Sequence, residues 1–212
     1  PGVPLTETPA EPLVQPLRER RSSFAGMKAV ARVETEHRGR TRAYESVAII
    51  LKGTERFRIE GYGPLGEQLF AAVWDGTDVL VRRAGEETAH KTGPSGFERM
   101  LGVSLSPSDL CALLAGVLPA MPPDTETAAR CSAAGWCLVD FQHDDVLWRV
   151  KVRPPASGQE RFTVQQMELL RRGRETLLAW YTYGGRNVPT GFPSAVSLLQ
   201  KDRSAFLLVQ YQ

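Results

Sequence analysis

Alternation of apolar and polar residues with period two runs through most of this chain and limits its fold more than any other feature. Met27, Ala29, Ala31 and Val33 alternate with Lys28, Val30, Arg32 and Glu34, which places one set on a core face and the other in water. After a turn at 37–40, Ala43 to Lys52 reads as the returning strand. Phe57 and Ile59 alternate with Arg56, Arg58 and Glu60 in a third. Leu69 to Trp74 is a fourth, closed by Asp75-Gly76, and Val79 to Arg83 and Glu87 to Lys91 follow. The pattern resumes in Gly135 to Phe141, Val146 to Val152, Phe162 to Leu170, Thr176 to Tyr183, Ala195 to Leu199 and Ala205 to Tyr211. That makes about eleven strands joined by short turns, which predicts a mainly β chain with antiparallel, meander-like pairing. Strand–helix–strand alternation is missing, so a doubly wound parallel sheet is disfavoured.

One interruption is helical. Phe97, Met100 and Leu101 suit a helical turn. Ser106-Pro107-Ser108-Asp109 then supplies a cap, a proline at the first helical position and an acid in the first turn. Leu110, Leu113, Leu114 and Val117 follow at helical spacing, and Pro119 is the expected stop. Before the first strand, five of the 15 prolines fall within the first sixteen residues. That density removes backbone donors and favours extended structure, so residues 1–19 read as a tether and 20–212 as the domain. A tether of this kind suits a lipid-anchored exported protein and equally an interdomain linker.

Composition excludes several classes. The 212 residues are 42% hydrophobic with a formal net charge of +2, enough apolar material for a core and too little charge to argue for nucleic acid. No apolar run reaches the roughly 18 residues of a membrane-spanning helix. The three histidines and three cysteines lack zinc-ligand spacing, so neither a metal nor a cofactor is expected. No Gly-x-Ser-x-Gly or His-Glu-x-x-His occurs, and the paired acids Glu86-Glu87 and Asp144-Asp145 fall in turn-like segments, so no catalytic residue is assigned. Gly61-Tyr62-Gly63-Pro64-Leu65-Gly66 fits G-x-G-x-x-G after a strand. The dinucleotide version needs a helix to begin inside the motif, whereas the residues that follow end in Asp-Gly after eight positions and read as a strand; Pro64 also lacks an N–H. Leu65 sits at the tip of this tight connection. An apolar side chain held in water forgoes about 1.5–3 kcal/mol of burial, so it marks a contact or caps the sheet edge.

Three sets of residues resemble the LolB family of outer-membrane lipoprotein receptors. They are Arg56-Phe57-Arg58-Ile59 with Gly63-Pro64-Leu65-Gly66 and the strand from Glu67 to Val73; Met100 to Leu105 leading into Leu110 to Gly116; and Tyr183-Gly184-Gly185 with Val188-Pro189 and Phe192-Pro193-Ser194-Ala195. Each is short, and their shared order over roughly residues 20–212 is the stronger signal. The resemblance extends to the wider LolA/LolB-like half-barrel superfamily. It implies a single curved antiparallel sheet, an unclosed half-barrel, with short covering helices around an apolar cavity for acyl chains. It implies no enzymatic activity. The function it implies is binding of lipoprotein acyl chains and their insertion into the inner leaflet of the outer membrane, by a monomer lipid-anchored through an N-terminal cysteine absent from this sequence. A LolA-like periplasmic carrier would be the donor, and phospholipid is an alternative ligand. Pro64, Leu65 and Gly66 take the place of the family's membrane-insertion loop.

On that reading, candidates for the cavity wall are Met27, Ala29, Ala31, Val33, Phe57 and Ile59 on the early strands, Met100, Leu101, Leu110, Leu113 and Leu114 on the helical cover, and Trp148. Ordinary core packing is the competing reading for each. Cys131 and Cys137 flank five residues of an expected hairpin and form either a disulfide in an oxidising compartment or two free thiols. Cys111, among leucines, is expected in the core. The basic cluster Arg171-Arg172-x-Arg174 is expected at a solvated turn, with anionic head groups as the alternative contact. A second function class stays open: an envelope half-barrel that binds another lipid or a protein partner, or a scaffold whose core is filled.

Overall fold

The structure, a computed structural model, describes residues 4–37, 39–93, 105–155, 162–171, 174–184, 192–200 and 205–212. The expected turn at Phe97, Met100 and Leu101, as well as Arg172 and Val188-Pro189, lie outside these residues.

The alternation becomes one antiparallel sheet of fourteen strands. In chain order these are β1 (Leu5–Thr8), β2 (Gly26–His37), β3 (Arg40–Lys52), β4 (Arg56–Tyr62), β5 (Gln68–Trp74), β6 (Val79–Arg83), β7 (His90–Thr92), β8 (Glu126–Ser132), β9 (Cys137–His143), β10 (Val146–Arg153), β11 (Thr163–Arg171), β12 (Arg174–Thr182), β13 (Ala195–Gln200) and β14 (Ala205–Tyr211). Among the described residues the helices are α1 (Glu11–Ser22) and α2 (Pro107–Ala115). Spatially the order is β1-β8-β9-β10-β11-β12-β13-β14-β2-β3-β4-β5-β6-β7. Two hairpin meanders, β2 to β7 and β8 to β14, are therefore joined edge to edge where β14 pairs with β2, Val209 opposite Val33 and Tyr211 opposite Ala31. The outer edges, β1 and β7, do not meet, so the sheet is an open half-barrel and not a closed barrel.

This order explains the helices. The chain leaves β1 at one edge and re-enters at β2 in the middle, and it leaves β7 at the other edge and re-enters at β8. Both connections must cross the sheet, and each carries a helix whose apolar residues join the core of the inner face. Across that face lie rows of directly opposed side chains: Phe141, Trp148 and Leu169; Val139, Val150 and Met167; Tyr181, Val196 and Val209.

Two sequence expectations are corrected. The N-terminal segment is not a tether from residue 5 onward. Leu5–Thr8 pairs with β8, and α1 buries Leu13, Val14 and Leu17 in the core. Pro12 falls in the first turn, where its missing N–H would have no helical partner anyway, and the helix also accommodates Pro16. Proline density masks an apolar face that the spacing of Leu13, Val14 and Leu17 does carry. The second correction concerns the strand count. Strands β1 and β8 escape the period-two pattern: β1 is only four residues long, and Glu126–Ser132 is mostly small and polar and lacks a clean alternation.

The α2 start is built as the sequence predicts. The Ser106 Oγ accepts from the Asp109 N–H at 3.0 Å, with Pro107 at the start of the helix. It ends before Pro119, because Gly116 takes a left-handed conformation (φ 63°) that closes the C-terminus through its N–H to Leu113 and Ala112 carbonyls. Helix α2 is apolar on every side, and Leu110 to Ala115 are all buried. It presents no wet face over Leu110 to Ala115. Among the described residues no helix is long and apolar enough to cross a membrane, and no group of three or more His, Cys, Asp or Glu side chains could hold a metal ion.

Candidate functional site

Three features of the half-barrel bear on function: its inner face, an open cleft at one end of α1, and the loop carrying Leu65. On the inner face the structure gathers most of the candidate wall. Ala31, Val33, Phe57, Leu110, Leu113, Leu114 and Trp148 are buried in one continuous core, with Met27 and Ile59 packed against it and Ala29 half-buried beside them. Met100 and Leu101 lie outside the described residues. Leu110, Leu113 and Leu114 of helix α2 are buried in the same core as the strand residues, and the helix contacts β4. The Tyr211 hydroxyl donates to the Leu114 carbonyl at 2.7 Å, satisfying one of the orphan carbonyls at the α2 C-terminus. The buried Tyr181 hydroxyl has no hydrogen-bond partner among the described residues. Cys111 is buried in the same core, and burial pushes its thiol up to about 12.

Open volume lies beside this packed centre. A cleft of about 630 Å³ is enclosed by the C-terminal turn of α1, the β3–β4 turn and the chain following α2. Its apolar wall is Phe24, Leu118, Met121 and the prolines 119, 122 and 123; Phe24 and Met121 are partly buried against the core, and Leu118 is part of it. Its polar side carries Arg18, Arg21, Lys52, Thr54 and Glu55, three cations against one carboxylate. Arg21 is the fixed point. Its Nη1 donates to the Leu118 carbonyl and its Nη2 to the Thr54 Oγ1 at 3.1 Å, so one guanidinium ties α1 to both other walls. Burial disfavours its charge and lowers its pKa, with Asp109 and Glu55 opposing that shift from a distance. Asp109, at the start of α2, is itself pushed up by burial. Sequence reasoning misses this cleft because three of its residues, Arg18, Arg21 and Phe24, lie in or just after a segment that reads as a tether. The available signal is the arginine cluster on a helix whose apolar spacing the prolines obscure.

The β4–β5 connection is a rigid hairpin, not the opening of a helix. The Gly63 N–H donates to the Glu67 carbonyl at 2.8 Å, the Gly66 N–H to the Gly63 carbonyl at 3.0 Å, and the Leu65 N–H to the Glu67 Oε2 at 3.0 Å. Gly66 has φ 83°, which glycine adopts without strain. The anion-binding helix terminus of a dinucleotide motif is therefore not built here. At the tip, Leu65 is 94% exposed. At the opposite meander, Cys131 and Cys137 are directly opposed on β8 and β9 and are joined as a disulfide, with Cα atoms 4.0 Å apart. Arg171 ends β11 with an exposed side chain.

No protein-family profile matches this sequence, and no curated protein matches it. The fold, in contrast, has known counterparts. A LolA superfamily protein from Nitrosomonas europaea matches with a TM-score of 0.58 at 13% identity, over 97% of this chain and 92% of that one. The chain has a LolA-like fold. A DUF1329 family protein from Desulfovibrio piger is also similar, with a TM-score of 0.52 at 12% identity, over 96% of this chain and 91% of that one. Both likenesses extend over nearly the whole chain.

Proposed function

We propose that this protein binds acyl chains without catalysing a reaction and delivers lipoproteins to the inner leaflet of the outer membrane, as a LolB-like receptor lipid-anchored on the periplasmic face. The observation that carries the reading is Leu65: a large apolar side chain, 94% exposed, on a hairpin whose hydrogen bonds hold it away from the core. A half-barrel with a cleft open beside its packed centre, one wall of it apolar, supports the binding half of the proposal. Acyl chains need no polar partner to bind, since each buried methylene contributes about 0.8 kcal/mol. Leu65→Glu should fold normally and take up lipoprotein from a LolA-like carrier, yet deliver it to phospholipid vesicles at least tenfold more slowly. Unchanged delivery by that variant would remove the loop from the mechanism.

A second reading has its own support. Residues Leu110 to Ala115 of helix α2 are all buried, as expected of a half-barrel scaffold with a filled core. Native mass spectrometry after incubation with phospholipid or lipoprotein separates the two: an acyl-chain adduct favours the receptor, and none favours the scaffold.

A further inference from the structure

We infer that the cleft at the end of α1 is a head-group site for amphiphiles that carry a phosphate, the anion lying against Arg21 and the chain lying along Leu118 and Met121. This inference deepens the lipid-binding reading and rests on it. It begins with the guanidinium of Arg21. A guanidinium has five N–H donors in a fixed plane, and the bonds to Leu118 and Thr54 occupy two of its nitrogens on the protein side. Among the described residues no carboxylate lies within ion-pair distance of it. A half-buried cation oriented by neutral acceptors, with Asp109 and Glu55 acting on it only from a distance, is suited to an incoming anion, and the arginine fork matches phosphate oxygens two at a time.

The surroundings agree. Thr54 is 8% exposed; its hydroxyl oxygen accepts from Arg21, which leaves its own O–H to donate. Arg18 and Lys52 stand exposed at the rim, where they add long-range attraction, and Glu55 is the one opposing charge. The other wall is apolar and continuous with the core through Leu118. A volume of about 630 Å³ falls within the ordinary range of small-ligand sites, roughly 300–1,000 Å³. A cleft with three cations on one side and an apolar wall on the other fits a molecule with the same two halves. A free anion would leave the apolar wall wet, and a neutral amphiphile would leave the cations unused.

The test is calorimetric titration of the full chain with dodecyl phosphate, dodecyl maltoside and inorganic phosphate. It compares the wild type with the double variant Arg18→Glu/Lys52→Glu, whose side chains are exposed and make no hydrogen bond or ion pair among the described residues. The expected result is saturable binding of dodecyl phosphate that the double variant weakens at least tenfold, with dodecyl maltoside weaker in the wild type and unchanged by the variant. Inorganic phosphate should bind far more weakly than dodecyl phosphate. Equal binding of the two amphiphiles, indifferent to the charge reversal, overturns the head-group assignment and leaves acyl-chain binding standing. Inorganic phosphate binding as tightly as dodecyl phosphate overturns the amphiphile and makes the cleft a plain anion site. Binding of neither amphiphile overturns this inference together with the lipid-binding reading.

Discussion

Glu60 shows how a single residue's surroundings decide its chemistry. It lies on the face of β4 away from Phe57 and is only 7% exposed, yet it stays charged because three donors converge on it. Arg58 Nη2 and Gln68 Nε2 each reach Oε1 at 2.7 Å, and the Tyr62 hydroxyl donates to Oε2 at 3.0 Å. The Arg58 hydrogen bond is the chief cause that holds this carboxyl below its usual range. A carboxylate whose pKa is lower folded than unfolded stabilises the fold above its unfolded value, near 4.3, and that contribution disappears as pH falls through the folded value. Glu60→Gln should therefore be less stable than wild type in urea at neutral pH, with the gap closing below about pH 4. A gap independent of pH would mean that shape and not charge holds the cluster. Nothing in the period-two pattern distinguishes Glu60 from any outward-facing acid, because Gln68, one of its three donors, stands on β5 and reaches it only through the pairing of β4 with β5.

At the scale of elements, the two helices make a contrast. Helix α2 is legible in the sequence: Ser106, Pro107 and Asp109 announce its start by local hydrogen bonding and fixed φ, which need no tertiary context. Its stop comes a few residues earlier than the proline suggests, since Gly116 in a left-handed conformation ends the helix before Pro119 can. Helix α1 is hidden, because five prolines outweigh the three apolar residues that matter. Leu17→Ala decides its importance quantitatively. Leu17 is 1% exposed, so its truncation should cost about 2–5 kcal/mol, read as a shift of the urea midpoint, whereas a change in a tether would leave that midpoint in place. The β8–β9 hairpin offers a second check. Its disulfide joins residues six apart, so reduction should lower stability by about 2 kcal/mol at most, measured as the midpoint with and without reductant. No change would show that the hairpin ladder alone holds these strands.

The whole molecule is two meanders made into one by the β14–β2 pairing and by helices that cross from the edges. Helix α2 sits against this composite face with every side buried, so opening it means dismantling the sheet around it. Its backbone amides should exchange with solvent only through global unfolding, and their slowest free energies should match the unfolding free energy from denaturant. Faster, separable exchange of α2 would instead mark it as a plug that leaves the concavity while the sheet persists, a motion that would open space for a ligand at the centre.

Period two, turn chemistry and a capped helix are local properties, carried by residues near one another in sequence. By themselves they determine the antiparallel β class, most strand positions and the start of α2. The exposed place of Leu65 is readable too, because proline and glycine on either side constrain it locally. Three things depend on residues far apart in the chain, and only the tertiary structure decides them. The first is that a proline-rich start belongs to the core. The second is that the α2 leucines, for which cavity lining and core packing are both open in the sequence, are buried in the common core. The third is that Arg21, Thr54 and Leu118 meet in a cleft. Each results from crossovers that carry a segment from the sheet edge to its face, and no local spacing encodes where such a segment lands.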